Sequence, residues 1–261
     1  MGILNVTPDS FSDGGRFAGV DAAVAHALRM VEEGAEIIDV GGESTRPGAE
    51  EVPAKEEISR VIPVIKKLRE RTNAAISIDT SKAEVARAAA EAGAEIINDV
   101  TALTGDPGMA AAAAETKSGV VLMHMRGNPR TMQQNTSYLR VVTEVANYLT
   151  SRVQSAVDAG LEEARLAIDP GIGFGKTAEQ NWALIDAVKI FATIGRPVLL
   201  GVSRKSFLAE EAGDDMEERD AITARLTALG FNLGARIFRV HEIPGNLAAL
   251  RTAEAVWSGK G

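Results

Sequence analysis

The sequence predicts a single α/β domain over residues 1–261 with the (β/α)8 barrel fold. Eight short apolar runs each end in a polar residue, and amphipathic helical patterns follow most of these runs. Most runs are continuously apolar, as expected of strands buried on both faces of a parallel sheet. The length of 261 residues also matches the size expected of eight βα units. The alternative is an open, doubly wound sheet, which usually has a glycine-rich loop after the first strand; this chain has TPDSFSDGG there.

The eight predicted strands share this apolar run with a polar end and are spread along the whole chain. They are GILN (2–5), EIIDVGG (36–42), AISIDT (75–80), EIINDV (95–100), VVLMHM (120–125), RLAIDP (165–170), PVLLGVSR (197–204) and RIFRVHE (236–242).

The helices between the strands are predicted from apolar residues at the spacing i, i+3, i+4 and i+7. Examples are Val24/Ala27/Leu28/Val31, Ile58/Val61/Ile62/Ile65 and, with similar spacing, Val85/Ala88/Ala89/Ala92, Val142/Val145/Leu149/Val153 and Ile222/Leu226/Leu229/Leu233. Glycines stand where helices should end in a left-handed residue: Gly34, Gly93, Gly160, Gly195 and Gly234. Two helix starts, Ser81-x-x-Glu84 and Thr177-x-x-Gln180, have the capping-box pattern.

Composition excludes several classes of protein. The net charge of −8 argues against general nucleic-acid binding. The chain has no cysteine, which excludes disulfides, zinc–thiolate sites and a cysteine nucleophile. No apolar run approaches the roughly 18 residues of a membrane span. The N-terminus MGILNV lacks a basic region and a long apolar stretch, so we expect no signal peptide, no membrane partner and a cytoplasmic protein.

Polar residues stand at the C-terminal end of every predicted strand, where a parallel barrel carries its site. They are Asn5, Asp39, Asp79, Asn98, His124, Asp169, Ser203 with Arg204 and Lys205, and Arg239 with His241. The carboxylates and Asn98 suit a ligand edge rich in N–H donors, whereas Arg46, Lys205, Arg239 and His241 suit an anion such as phosphate. We therefore predict a small polar ligand with a donor-rich ring and an anionic group. Ser203 lacks an obvious His–Asp pattern, so a nucleophilic serine is not favoured.

The stretch DPGIGFGKT (169–177) resembles a nucleotide-binding P-loop at its end. A P-loop needs a glycine five residues before Gly175, and Pro170, which has no N–H, stands there. The dinucleotide pattern fails as well, because Lys176 occupies the position of its third glycine. We predict instead that Lys176 and Thr177 begin a helix and do not touch the substrate.

Taken together, eight segments resemble the dihydropteroate synthase family of folate biosynthesis in order and spacing over nearly the whole chain. They are GILNVTPDSFSDGG (2–15), DVGGESTRPGA (39–49), SIDT (77–80), INDV (97–100), LMHMRGNPRTM (122–132), DPGIGFGKT (169–177), GVSRKSF (201–207) and RVHE (239–242). The resemblance implies a homodimeric barrel enzyme. Such enzymes join p-aminobenzoate to 6-hydroxymethyl-7,8-dihydropterin diphosphate with the help of Mg2+, and sulfonamides compete with p-aminobenzoate.

The resemblance also implies a role for each motif position. The implied pterin pocket consists of Asp39, Asp79, Asn98, Met125, Asp169, Phe174, Gly201 and Lys205. The implied diphosphate and catalytic groups are Asn5, Arg46, Lys205, Arg239 and His241, with Asn5 also on the magnesium side. The implied p-aminobenzoate border consists of Phe11, Thr45, Pro47, Ser203 and Lys205.

Two features of the chain concern its first third. The loops TPDSFSDGGRF and GESTRPGAEEVP are long and rich in Gly, Pro and Ser, so we expect them to be lids that exclude water. Family members carry a short segment before the first motif, often a hairpin. Because Met1 immediately precedes that motif here, we expect a less completely closed barrel bottom.

Two other functions stay open from the sequence. One is a pterin-binding methyltransferase domain, against which STRPG and SRKSF argue because they would serve the arylamine and the diphosphate. The other is a non-catalytic pterin-binding homologue. A pure binder has no need of the anion-binding group of Asn5, Arg46, Lys205, Arg239 and His241, so the presence of that group argues against it.

Overall fold

The computed structural model describes residues 1–7, 15–45 and 48–258. Within these residues eight parallel strands lie side by side in chain order, from the first to the eighth. The first and last strands close the sheet, because the backbone N–H of Ile3 donates to the Val240 carbonyl at 3.0 Å and that of Val240 donates to Met1 at 2.9 Å. The predicted (β/α)8 barrel is therefore confirmed.

The described strands lie inside or within one residue of the predicted runs. They are β1 Gly2–Asn5, β2 Ile37–Gly41, β3 Ala75–Asp79, β4 Ile96–Asp99, β5 Gly119–Met123, β6 Leu166–Asp169, β7 Val198–Leu200 and β8 Ala235–Phe238. The described helices surround them: α1 Gly15–Glu32, α2 Ala54–Arg69, α3 Ala83–Ala92, α4 Met109–Thr116, α5 Val141–Asp158, α6 Ala178–Asp186, α7 Val188–Ala192, α8 Ala209–Ala212, α9 Met216–Leu233 and α10 Pro244–Trp257.

Alternation along the strands separates two apolar regions. Residues facing outward pack against the helices in one continuous core, which includes Ile38, Ile78 and Leu122. Inside the barrel, Val121 and Leu199 belong to a separate small apolar layer. Because this layer fills the barrel interior below the polar strand ends, the chemistry is confined to the C-terminal rim.

The predicted helix ends are confirmed, and the predicted starts are confirmed in part. All five predicted end glycines have positive φ, as in Gly93 at 113°. Thr177 caps α6 with a reciprocal capping box to Gln180. The capping box predicted at Ser81 is wrong, because α3 begins at Ala83 and its N-cap residue is Lys82, which makes no side-chain capping bond. The Asp106 carboxylate, from the loop after β4, accepts the Ala83 N–H at 2.8 Å and so replaces the missing cap.

The predicted apolar stripe of α9 is only half right. Ile222 and Leu226 are buried, but Leu229 is 46% exposed. The buried face instead runs through Thr223 and Thr227. Their hydroxyls donate to the Arg219 carbonyl and the Asn246 amide oxygen, both at 2.7 Å, so the polar atoms remain satisfied in the core. No helix in the described ranges is long and apolar enough to cross a membrane.

Candidate active site

The ends of neighbouring strands bring four buried polar side chains to the rim of the barrel. Asp39 lies in the middle of β2, Asp79 and Asp169 are the last residues of β3 and β6, and Asn98 is the last but one of β4. Asp79 pairs with Asn98 in the sheet register, and Asp169 pairs with Met123 of β5. The Asn98 amide donates to the Asp39 carboxylate at 3.1 Å. The predicted acidic and amide groups therefore share one interior space.

The guanidinium of Arg239 lies among these carboxylates. Its Nε donates to Asp39 at 2.6 Å and its Nη2 donates to Asp79 at 2.7 Å. Arg239, which was predicted in the anion-binding half, therefore reaches from the end of β8 across the barrel to the acidic groups on β2 and β3. Burial opposes the charge on Arg239, but the two carboxylates outweigh that effect and raise its pKa.

Two carboxylate oxygens at the rim are buried and have no hydrogen-bond partner in the described part of the chain. They are Oδ1 of Asp39 and Oδ1 of Asp79. Burial raises the pKa of Asp79 to about 7, against the opposing effect of Arg239. Burial also raises the pKa of Asp169, and Lys205 opposes that shift. Buried acceptors without partners are costly, so the rim favours a ligand that donates N–H groups to them.

A small cavity of about 20 Å3 lies among these groups. Its lining includes Asp79, Asn98, Asp169, Gly201, Lys205 and Arg239, together with Thr45, Val100, Met123 and Phe174. Met125, predicted for the pocket, does not line it. The Met125 side chain packs instead in a cluster with Met132 beside Phe174. Met123 takes the lining position because it lies within β5 with its side chain inside the barrel, next to Asp169 in register.

Lys205 covers this cavity from the loop after β7. Its ammonium donates to the Ile172 carbonyl and lies 4.3 Å from the centre of the Phe174 ring. Burial lowers the pKa of Lys205 to about 8, although the Asp169 carboxylate opposes the shift. A cation and an aromatic ring therefore line the same cavity as Asp169, an arrangement that suits a flat polar ring.

Ser203 and His241 form a contact that the sequence did not indicate. The Ser203 hydroxyl lies 3.0 Å from His241 Nδ1 and accepts the His241 backbone N–H at 3.1 Å. The two residues are 38 positions apart, so no local pattern could reveal the pair. Because the hydroxyl accepts from the backbone, its own proton is available to Nδ1, which fixes the orientation of the ring.

The remaining predicted residues divide into two groups. Asn5 ends β1 beside Asp79: a Cβ added at Gly41 would lie 3.7 Å from both Asn5 Oδ1 and Asp79 Oδ2. Thr45 lines the small cavity. Phe11, Arg46 and Pro47 lie outside the described residues.

A buried ion network holds the start of the loop that carries Thr45. The ammonium of Lys82 donates to Glu43 and, at 2.7 Å, to the fully buried Glu57. Glu43 also accepts the Val52 backbone N–H at 3.0 Å. The three charged residues and Thr45 line a second, larger cleft of about 350 Å3, which shares Thr45 and Asp79 with the small cavity. The network therefore fixes the two ends of this loop at the rim.

Gly171, two residues after Asp169, has a conformation and a close contact that only glycine permits. Its φ is +68°, and an added Cβ would lie 1.9 Å from the His124 carbonyl oxygen. Its N–H donates to the Asp169 carboxylate at 2.7 Å, so the turn also orients that carboxylate.

Gly171→Ala should therefore lower the melting temperature by roughly 5–10 °C, because backbone strain and a forced shift cost about 2–3 kcal/mol. Thermal unfolding followed by circular dichroism measures the change. Gly195→Ala is the matched control: its φ is +83°, but nothing lies within 4 Å of the added Cβ. Equal losses in the two variants would show that the contact with His124 does not constrain the turn.

Comparison with known proteins finds relatives that match this chain over its whole length. The model of the pterin binding enzyme family matches residues 1–241. The dihydropteroate synthase of Escherichia coli K12 is 46% identical over 260 residues, which is 100% of this chain and 92% of that protein.

Solved structures extend the similarity to the fold. A Yersinia pestis dihydropteroate synthase in complex with a sulfonamide drug has a TM-score of 0.93 at 41% identity, covering 99% of this chain and 94% of that one. A Xanthomonas albilineans dihydropteroate synthase in complex with 7,8-dihydropteroate has a TM-score of 0.88 at 44% identity, covering 99% and 93%.

Proposed function

The chain belongs to the pterin-binding enzyme family, and from that premise we propose that it is a transferase of folate biosynthesis with the dihydropteroate synthase activity. It condenses 6-hydroxymethyl-7,8-dihydropterin diphosphate with p-aminobenzoate to give 7,8-dihydropteroate and pyrophosphate. Full-length similarity to dihydropteroate synthases, one of them bound to 7,8-dihydropteroate, supports the activity. The observation that carries it is the buried Asp169 carboxylate, which faces the same cavity as Lys205 and Arg239.

Asp169 is suited to recognise the pterin. The 2-amino-pyrimidinone edge of a dihydropterin presents two parallel N–H donors, and a carboxylate accepts such a pair in a bidentate contact. The Gly171 N–H, bonded to the same carboxylate, holds it in one orientation. The Lys205 ammonium and the Phe174 ring then lie on the side of the cavity where the flat ring would rest.

The reaction separates bond breaking from bond making. The C–O bond between the pterin methylene and the diphosphate breaks first, and its electron pair leaves with the diphosphate. The neutral amine of p-aminobenzoate then attacks the pterin-methyl cation, and the amine proton is released to solvent or pyrophosphate. No protein nucleophile takes part, and a general base is not required.

The protein contributes mainly electrostatics to this reaction. The Asp39 and Asp79 carboxylates lie in a buried environment, where they favour a cationic ring. Lys205, Arg239 and His241 supply positive groups or N–H donors for the leaving diphosphate. Because these groups are held in place before the substrate binds, little reorganisation is needed during the reaction.

We also propose a role for Mg2+, with Asn5 as the protein ligand. Mg2+ prefers oxygen ligands and is commonly bound by one or two protein groups together with substrate phosphates. The Asn5 amide oxygen at the end of β1 lies near the Asp79 carboxylate, so the available oxygens fit this preference. When bound, the ion would neutralise negative charge on the diphosphate.

The arylamine is proposed to lie beside Thr45, Ser203 and Lys205. The contact with His241 keeps the Ser203 hydroxyl in one orientation, which supports this proposal. A similar enzyme from Yersinia pestis binds a sulfonamide drug. We therefore propose that sulfonamides compete with p-aminobenzoate here. The homodimer and the cytoplasmic location stay predictions from the sequence.

One assay separates the three functions considered from the sequence. The purified protein should release pyrophosphate and form dihydropteroate when given pterin diphosphate, p-aminobenzoate and Mg2+. Chelation of the metal should lower the rate by at least about tenfold, because the charge on the diphosphate is then less well compensated.

The other outcomes of the assay are distinct. A folded protein that binds the pterin but forms neither product would be a non-catalytic binder. Methyl transfer from a methylated folate, without pyrophosphate release, would identify a methyltransferase domain. Full activity in the presence of the chelator would remove the metal from the proposal while leaving the activity in place.

A further inference from the structure

The loop between β6 and α6 folds around the ammonium group of Lys176. The Nζ atom donates to the carbonyls of Gly171 at 2.8 Å and Phe174 at 2.9 Å, and it lies 3.4 Å from the His124 carbonyl. It also lies 3.1 Å from His124 Nδ1. Lys176 is only 3% exposed. The lysine of the apparent P-loop therefore binds the carbonyls of its own loop and cannot reach a phosphate from this position.

Three glycines allow the loop to turn its carbonyls toward Lys176. Gly171, Gly173 and Gly175 have φ values of 68°, 82° and 63°. A Cβ at Gly173 would lie 2.7 Å from the Lys205 side chain, so the loop backbone also packs closely against the cavity. In this left-handed conformation the chain can wrap around one cation without side-chain clashes.

The same loop carries three groups of the candidate site. Its Gly171 N–H binds the Asp169 carboxylate, and its Ile172 carbonyl accepts from Lys205. Its Phe174 ring lies beside the Lys205 ammonium. Two carbonyls bound by Lys176, those of Gly171 and Phe174, stand on either side of the Ile172 carbonyl. The position of the ammonium therefore sets the position of the whole segment.

Burying the Lys176 amine carries a desolvation cost, and no carboxylate lies within hydrogen-bond distance of it in the described part of the chain. Burial lowers its pKa to about 7, although the Asp169 charge opposes the shift. An apolar side chain would fill such a position at lower cost than a buried amine. The interactions that offset this cost are those with the loop carbonyls, so the arrangement indicates a role in loop geometry.

We propose that Lys176 is a positioning residue for the pterin site, which holds the carbonyls of Gly171 and Phe174 so that Asp169 and Phe174 are fixed before the ligand binds. The inference rests on the proposed function, since it names the pterin as the ligand. Lys176 itself touches no reacting atom. It acts through the loop backbone, much as an outer group orients the direct ligands of a metal site.

The test is Lys176→Met, which retains the length of the side chain and removes its donors. We expect the dissociation constant for the pterin diphosphate, measured by calorimetry without p-aminobenzoate, to rise about tenfold, as for the loss of one charge-assisted hydrogen bond. Hydrogen exchange without ligand should accelerate at the Gly171, Gly173 and Phe174 amides. Lys176→Gln, which keeps one amide donor group, should give intermediate changes and replaces the Met variant if that variant does not fold.

Thr177→Ala is the matched control, because it removes the adjacent capping box but leaves the lysine contacts intact. It should lower stability and leave the dissociation constant unchanged. Unchanged exchange at the three amides in the Lys176 variants would overturn the inference, as would equal weakening of binding by Thr177→Ala. A wild-type protein that binds no pterin would remove the proposed function instead, and the exchange experiment would still test the loop contact.

Discussion

Asp169→Asn should abolish measurable pterin binding and leave the fold intact. The Asn amide has only one oxygen to accept the two N–H groups of the pterin edge, and its NH2 group faces the second of them. Two donors then face each other in a buried site without an acceptor. Sites built around a specific polar partner commonly reject the mismatched partner by several orders of magnitude, so we expect a loss of roughly a thousandfold or more. Calorimetric titration with the pterin diphosphate measures the loss.

The fold should tolerate this change because Asn has nearly the same shape as Asp. The amide oxygen can still accept the Gly171 N–H, and a neutral group is cheaper to bury than a carboxylate. Asp99→Asn is the matched control: Asp99 closes β4, is also fully buried, and binds the backbone of Thr101 and Leu103 rather than the cavity. Pterin affinity that is the same in Asp169→Asn as in the wild type would refute the assigned role.

Arg239→Met should remove catalysis and lower the free energy of unfolding by about 3–5 kcal/mol at neutral pH. The guanidinium is the partner of both Asp39 and Asp79, and its loss leaves two buried carboxylates without a cation. Chemical denaturation measures the stability, and the pyrophosphate assay measures the activity. Arg87→Met, which breaks the exposed pair with Glu115, should cost less than about 1 kcal/mol.

The free energy of unfolding of Arg239→Met should depend on pH differently from that of the wild-type protein. Burial raises the pKa of Asp79 to about 7, so the folded protein keeps a proton that the unfolded chain releases above pH of about 4. The stability due to this proton is present at low pH and is lost as pH rises through 7. Arg239 lowers the pKa of Asp79, so this pKa should be higher in Arg239→Met. The variant should therefore continue to lose stability at pH values where the wild-type protein no longer does. Unfolding curves from pH 5 to pH 8.5 that run parallel for the two proteins would contradict the assigned pairing.

Much of the barrel could be predicted because buried parallel strands carry a simple signal. Continuous apolar runs such as those before Asp79 and Asp169 locate the strands, and their polar last residues locate the rim. The capping box at Thr177 could be predicted for a similar reason, because its two residues are only three positions apart in the sequence. The stripe on α9 was misjudged at Leu229 because Thr223 and Thr227 are buried through side-chain hydrogen bonds, which an apolar pattern does not count.

The parts of the site that could not be predicted depend on contacts between distant segments. The residue type of Arg239 predicts contact with an anionic ligand. Its guanidinium donates to the carboxylates of Asp39 and Asp79, 200 and 160 positions away. The helix predicted to begin at Lys176 and Thr177 starts just after them, but no local pattern indicates that the Lys176 ammonium contacts His124, 52 positions away. Residue types indicate that such groups interact, but only the closed barrel decides which partner each one meets.

The closure of the barrel through β1 and β8 has a consequence for biosynthesis. Asp39 leaves the ribosome about 200 residues before Arg239, a delay of about 10–40 s at typical rates of translation. During that interval the two rim carboxylates exist without the guanidinium that neutralises them. The nascent chain can pair its early strands, but pairing of the first strand with the last must wait for nearly the whole polypeptide, as in other folds of high contact order. The charge balance of the rim is therefore one of the last features of the molecule to be completed.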